Sequence, residues 1–149
     1  MSVKPVRLYT DKILHQPCLS ITEFTGLDNI IESMISTMFE FRGIGLAAPQ
    51  IGLPLNLAVM HLENKSKLIV VANPKIICYT KETDNQLEGC LSAPGVTINI
   101  KRYLGIDIEA QNLLGEKVQY RLTDYDARIA QHELAHLSGV MITDSIIKL

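Results

Sequence analysis

The stretch IAQHELAHLSGV, residues 129–140, decides how this chain reads. Wound as an α-helix, it sets His132 and His136 one turn apart on nearly the same face, because four residues at 3.6 per turn return almost to the starting direction. Two imidazoles so placed can reach one metal ion. Glu133, about a quarter turn round, can meet a water on that ion without being a ligand itself. The flanks agree with a helix: Thr123 is a good N-cap, Asp126 three residues on approximates a capping box, and Gly139 lies just past the expected end near Leu137.

A metal site needs a third protein ligand, and the downstream sequence does not supply one of the usual kind. In HExxHxxG proteases a third histidine follows the glycine by three residues, where this chain has Ile142. The single acid after His136 is Asp144, so a glutamate from a later helix is also missing. The ligand must come from upstream, where His15, His61, Cys18, Cys78 and Cys90 are the chemical candidates. Cys90 stands apart because it sits in EGCLSAPG, residues 88–95, between Gly89 and a turn-forming SAPG. Cys18 and Cys78 read as inert thiols.

The rest of the chain bounds what such a site can serve. At 149 residues it is about one domain, residues 1–149, with no linker or repeat to divide it. Hydrophobic residues make up 47% and charged residues 20%, a balance that folds. A formal charge of -2 with scattered lysines and arginines leaves no basic stripe, so direct nucleic-acid binding is not expected. No apolar run approaches the roughly 20 residues that span a bilayer. The polar N-terminus lacks the apolar core of a signal peptide and three cysteines are an odd number, so the chain reads as intracellular with reduced thiols.

Secondary structure is legible in outline. Leu27, Ile30, Ile31, Met34, Ile35, Met38 and Phe39 recur at helical spacing over residues 27–41, with Gly43 as the expected stop. Short β-rich runs fall at 54–61, 67–74, 96–100, 105–110 and 117–122, the last two flanking a hairpin turn that closes at Gly115. Strands in the middle with a helix at each end predict an α+β domain.

Three stretches together carry a resemblance. GIGLAAPQIG (43–52), EGCLS (88–92) and QHELAH (131–136), in this order and at these separations, resemble the signature motifs of the peptide deformylase family, and the resemblance extends over essentially the whole chain. It implies antiparallel sheets around a central helix that bears the HExxH motif. It also implies removal of the formyl group from the N-terminal formyl-methionine of newly made polypeptides, near the ribosome, in a bacterial or phage-infected cytoplasm, with an organellar setting left open. A monomer is also expected, and, since many bacterial relatives continue into a further helix after this one, a short form lacking a C-terminal extension.

Residue by residue, the resemblance implies that Cys90, His132 and His136 hold one divalent metal ion, Fe(II) in vivo, with Zn(II), Ni(II) or Co(II) able to replace it. Glu133 is implied as general base and then general acid. The side-chain amide of Gln50 and the backbone N–H of Leu91 are implied as oxyanion donors. Ile44, Gly45, Glu88, Gly89, Tyr125, Arg128 and Ile129 are implied around the substrate, with Gly43 and Gly45 letting an extended peptide approach the backbone. Two positions depart from the family pattern. Arg128 replaces an aliphatic residue and is expected to snorkel to the pocket rim; Ala135 replaces an aspartate. Two other readings of the same helix are an HExxH metallopeptidase, which has no use for Cys90, and a closed zinc-binding domain, which needs a fourth protein ligand.

Overall fold

The computed structural model describes residues 2–63 and 66–147. The deciding stretch lies in helix α2, Asp124–Leu137, which is buried on nearly every side. Ala127, Ala130, Leu134 and Leu137 pack into one core with Met60, Leu62, Ile69, Val71, Ile106, Ile108 and Leu122. Thr123 occupies the N-cap with extended backbone, but the expected capping box does not form. The Asp126 carboxylate instead accepts the Glu63 N–H at 2.7 Å, so the acid ties the helix to a neighbouring strand end. At the other end Gly139 takes φ +78°, and a Cβ there would lie 2.7–2.9 Å from backbone atoms of His15 and Gln16. Only glycine fits where the chain turns left-handed against another backbone segment.

Among the described residues seven strands surround this helix, and their ladders are all antiparallel. β1 (Gly45–Ala47), β2 (Leu57–Leu62), β3 (Lys67–Tyr79), β6 (Gly105–Gln111) and β7 (Lys117–Thr123) form one sheet in the order β1-β2-β3-β6-β7. β4 (Thr83–Cys90) and β5 (Ala93–Tyr103) form a separate two-stranded sheet. Within the larger sheet, β2 is buried on both faces. Along β2, Ala58, Met60 and Leu62 point into the α2 core, while Leu57 and Val59 point to a second core under helix α1 (Leu27–Glu40). There Ile31, Met34 and Met38 supply the apolar stripe that the helical spacing predicts. The period of two on β2 and the period near 3.6 on α1 thus meet on one surface.

Three expectations change in detail. The residue that turns out of α1 is Arg42, with φ 58°, rather than Gly43, whose N–H donates to Met38 O. β3 continues past Pro74 to Tyr79, since a register shift between Ala72 and Lys75 removes the need for a ladder donor at the proline. Asn73 takes φ 49° beside it, and its side chain bonds both N–H and C=O of Ile21. SAPG is not a turn: the chain reverses at Leu91–Ser92, Cys90 pairs with Ala93, and β5 begins there. No helix among the described residues is long and apolar enough to cross a membrane.

Candidate metal centre and active site

α2 presents His132 and His136 with ring centroids 5.0 Å apart. Cys90, the last residue of β4, brings its Sγ to 3.3 Å from His136 Nε2. One donor atom from each of the three lies within 4.8 Å of the others, and among the described residues this is the one such cluster of His, Cys, Asp and Glu. A thiolate with two imidazoles suits a tetrahedral divalent ion that keeps one open position, so the residues fit the metal that the motif implies. The other candidates lie elsewhere. His15 Nε2 meets Tyr9 O, His61 rests edge-on against Phe39, Cys18 packs against the core with burial pushing its thiol up to about 11, and Cys78 is exposed.

The ligands are held from behind. His132 Nδ1 donates to Glu88 Oε1 at 2.9 Å, leaving its other nitrogen for the centre. Glu88 is itself gripped by Arg102, which reaches both its oxygens at 2.9 Å. Burial pushes Glu88 up, but hydrogen bonds from Arg102 and His132 outweigh it and hold the carboxyl down at about 2. In the metal-free protein, burial pulls His132 down, yet hydrogen bonds with Cys90 and Glu88 raise it to about 10. His136 goes the other way, to about 3, through burial and the neighbouring His132 charge. Its Nδ1 is buried without a hydrogen-bond partner among the described residues.

Glu133 is 4% exposed, and burial lifts its carboxyl to about 7. Its side chain rests on Gly45. A Cβ at that glycine would collide with the Glu133 carboxylate, so the bare backbone accommodates the glutamate as well as any substrate. Gln50, on the short 3₁₀ turn Ala48–Ile51, is equally buried. Its Oε1 accepts the Ala47 N–H at 2.9 Å, which turns its Nε2 toward Ser92 Oγ at 3.1 Å and Cys90 Sγ at 3.8 Å.

All the residues expected at the site except His136 line one cavity of about 380 Å³. His136 forms part of the wall of a smaller cavity behind it. Gly43, expected to let a peptide approach, also lines the main cavity, as do Arg42 and Leu87, which nothing in their sequence context distinguishes. A larger groove of about 640 Å³ runs along the other side of α2, past Lys75, Tyr103 and Ala135, but it contains neither Cys90 nor the histidines.

Arg128 departs from expectation. It does not snorkel: it is 4% exposed, and its guanidinium bonds Glu88 Oε2 at 2.5 Å, Ile100 O at 2.9 Å, and both the backbone and the carboxylate of Asp84 at 3.0 and 2.8 Å. Glu88, expected beside the substrate, does border the cavity, but both its oxygens are engaged by Arg102, Arg128 and His132. Sequence reasoning missed Arg102. Its only signal is register, since it lies opposite Asp84 and so on the Glu88 face of the β4–β5 pair.

The chain is similar to known proteins over most of its length. The family model for polypeptide deformylase matches residues 3–149. The peptide deformylase of Thermotoga neapolitana is 40% identical over 142 residues, covering 95% of this chain and 85% of the relative. The crystal structure of peptide deformylase from Thermotoga maritima superposes with a TM-score of 0.92 at 38% identity, over 97% of each chain. That from Thermus thermophilus gives 0.90 at 39% identity, over 95% of this chain and 84% of its own. With the three motifs converging on one cavity and the family matched from end to end, this chain belongs to the peptide deformylase family.

Proposed function

We propose a division of labour among the residues by which this chain removes the formyl group from the N-terminal formyl-methionine of newly synthesised polypeptides. Cys90, His132 and His136 hold one divalent ion, Fe(II) in the cell, with Zn(II), Ni(II) or Co(II) as substitutes. When bound, the ion supplies Lewis acidity and makes a water acidic enough to attack near neutral pH.

Glu133 would take the proton from the attacking water as the oxygen adds to the formyl carbon. It would then give the proton to the methionine nitrogen as the C–N bond breaks, leaving formate and a free amine. Burial favours the neutral form of this carboxyl in the metal-free protein, and a buried carboxyl beside the reacting atoms suits both taking and returning a proton. The developing oxyanion is met by Gln50 Nε2–H and the backbone N–H of Leu91. Gln50 is suited to this because Ala47 N–H fixes its oxygen and leaves its NH₂ facing Cys90. The peptide lies extended along the backbone at Gly43 and Gly45, and its methionine side chain enters the cavity between Tyr125 and Ile129, beside Ile44 and Gly89.

The observation that carries this reading is the meeting of three ligand atoms within 4.8 Å beside a buried carboxylate that bonds none of them. A closed zinc site needs a fourth protein ligand, and the cluster offers three. The protein works as a cytoplasmic monomer on nascent chains close to the ribosome. Release of formate from a formyl-Met peptide, with metal content measured on the same sample, tests the reading; cleavage of an unformylated peptide would turn it into a peptidase instead.

A further inference from the structure

The three proposed ligands come from two pieces of structure. The histidines stand on α2, which packs against the five-stranded sheet, whereas Cys90 ends a strand that, among the described residues, pairs only with β5. A two-stranded pair is marginal by itself, so its thiol is placed only as well as the pair is seated on the helix. Gln131 ties one end of β5 to the helix through the backbone N–H and C=O of Tyr103, and Arg128 seats both strands nearer the ligands. It lies one turn before His132, its side chain is 5% exposed, and its four hydrogen bonds reach Asp84 and Glu88 on β4 and Ile100 on β5. Glu88, held this way, accepts from His132 Nδ1. One guanidinium thus touches both strands and, through one carboxylate, a metal ligand. An aliphatic side chain could fill the same space but could hold neither strand.

The charges balance: Glu88 is buried and Asp84 is a third exposed. Asp84 and Glu88 face Arg128 and Arg102, and the planar five-donor fork of arginine is what allows one residue to serve several acceptors. We infer that Arg128 is a positioning residue that clamps the β4–β5 pair to α2 and so fixes the Cys90 thiol against the two imidazoles. This rests on the ligand set proposed above.

Cobalt reports both parts of the idea. Wild type should bind one Co(II) per chain and show the charge-transfer band of a thiolate ligand. Arg128→Met should still unfold cooperatively but bind Co(II) about 10- to 100-fold more weakly in chelator competition, the usual effect of losing a group that orients a ligand. Its thiolate band should shift as the Cys90 geometry relaxes. Arg128→Lys, which keeps the charge but not the fork, should fall between the two and decides the matter if the methionine variant does not fold. Arg121→Met removes an exposed ion pair with Asp107 on the main sheet and should match wild type. A wild type without the thiolate band overturns the ligand set. A normal band with Arg128 variants that hold Co(II) as tightly as wild type overturns the clamp alone.

Discussion

Replacing Gly45 with alanine tests the packing of the site against its chemistry. Gly45 pairs with Met60 in β1, and its φ lies outside the left-handed region, so the backbone itself accepts alanine. The obstacle is Glu133: the new Cβ would sit 2.9 Å from both its Cγ and Cδ, and nearer still to Oε2. The whole side chain must move, and the cavity it borders is where it can go. Overpacking of this kind costs about 1–3 kcal/mol, partly offset by roughly 0.4–1 kcal/mol from the stiffer unfolded chain. The net of roughly 0–2.6 kcal/mol corresponds to a fall in Tm of up to about 10 °C for a chain of this size. Catalysis should suffer more, because moving a reacting group by about 1 Å can cost 10²-fold. Formate release and thermal melts of Gly45→Ala, Glu133→Ala and the double variant decide it. The double variant should melt above Gly45→Ala, since the clash is gone, yet be no slower than Glu133→Ala. Wild-type turnover in Gly45→Ala, or strictly additive losses in the double variant, would refute the reasoning.

Cys90→Ser, His132→Ala and His136→Ala should each sharply weaken metal binding, and full metal retention by elemental analysis in any one would remove that residue from the ligand set. Gln50→Ala should lower kcat by roughly 10²- to 10³-fold with a smaller change in KM, as for loss of one oxyanion donor; unchanged kcat would place the amide outside the reacting centre. Glu88 predicts an acid limit. Its folded pKa is held at about 2 against an ordinary 4.5, so its contribution to stability is present above about pH 4.5 and is lost as the pH falls toward 2. Denaturant melts of the metal-free protein across that window should show a stability slope that flattens in Glu88→Gln; equal slopes would contradict the ion-pair assignment.

The helix that bears the histidines is legible in sequence because its spacing, its cap position and its terminal glycine all agree, and α1 because seven apolar residues keep one period. β4 is not. Its sequence TDNQLEGC alternates polar with polar, and among its residues only Glu88 is buried, so no apolar pattern marks it as a strand. The SAPG segment misleads for a related reason: its residues signal a turn locally, while pairing with β4 draws Ala93 onward into β5. Asp126 fits a capping box by sequence, yet tertiary contact with Glu63 claims its carboxylate. The cluster at the centre is readable as residue types in motifs. What holds those residues is not, because Arg102, Asp84 and Ile100 meet Glu88 and Arg128 only through strand register and the seating of one sheet on a helix.

The central claim is that Glu133 moves protons beside a metal that it does not hold. The most direct measurement is formate release from formyl-Met-Ala-Ser by wild type and by Glu133→Ala, with metal content determined on both. The account predicts release by wild type without backbone cleavage, and a folded, metal-loaded Glu133→Ala slower by at least about 10²- to 10⁴-fold. A fully active variant, or cleavage of unformylated Met-Ala-Ser by the wild type, would contradict it.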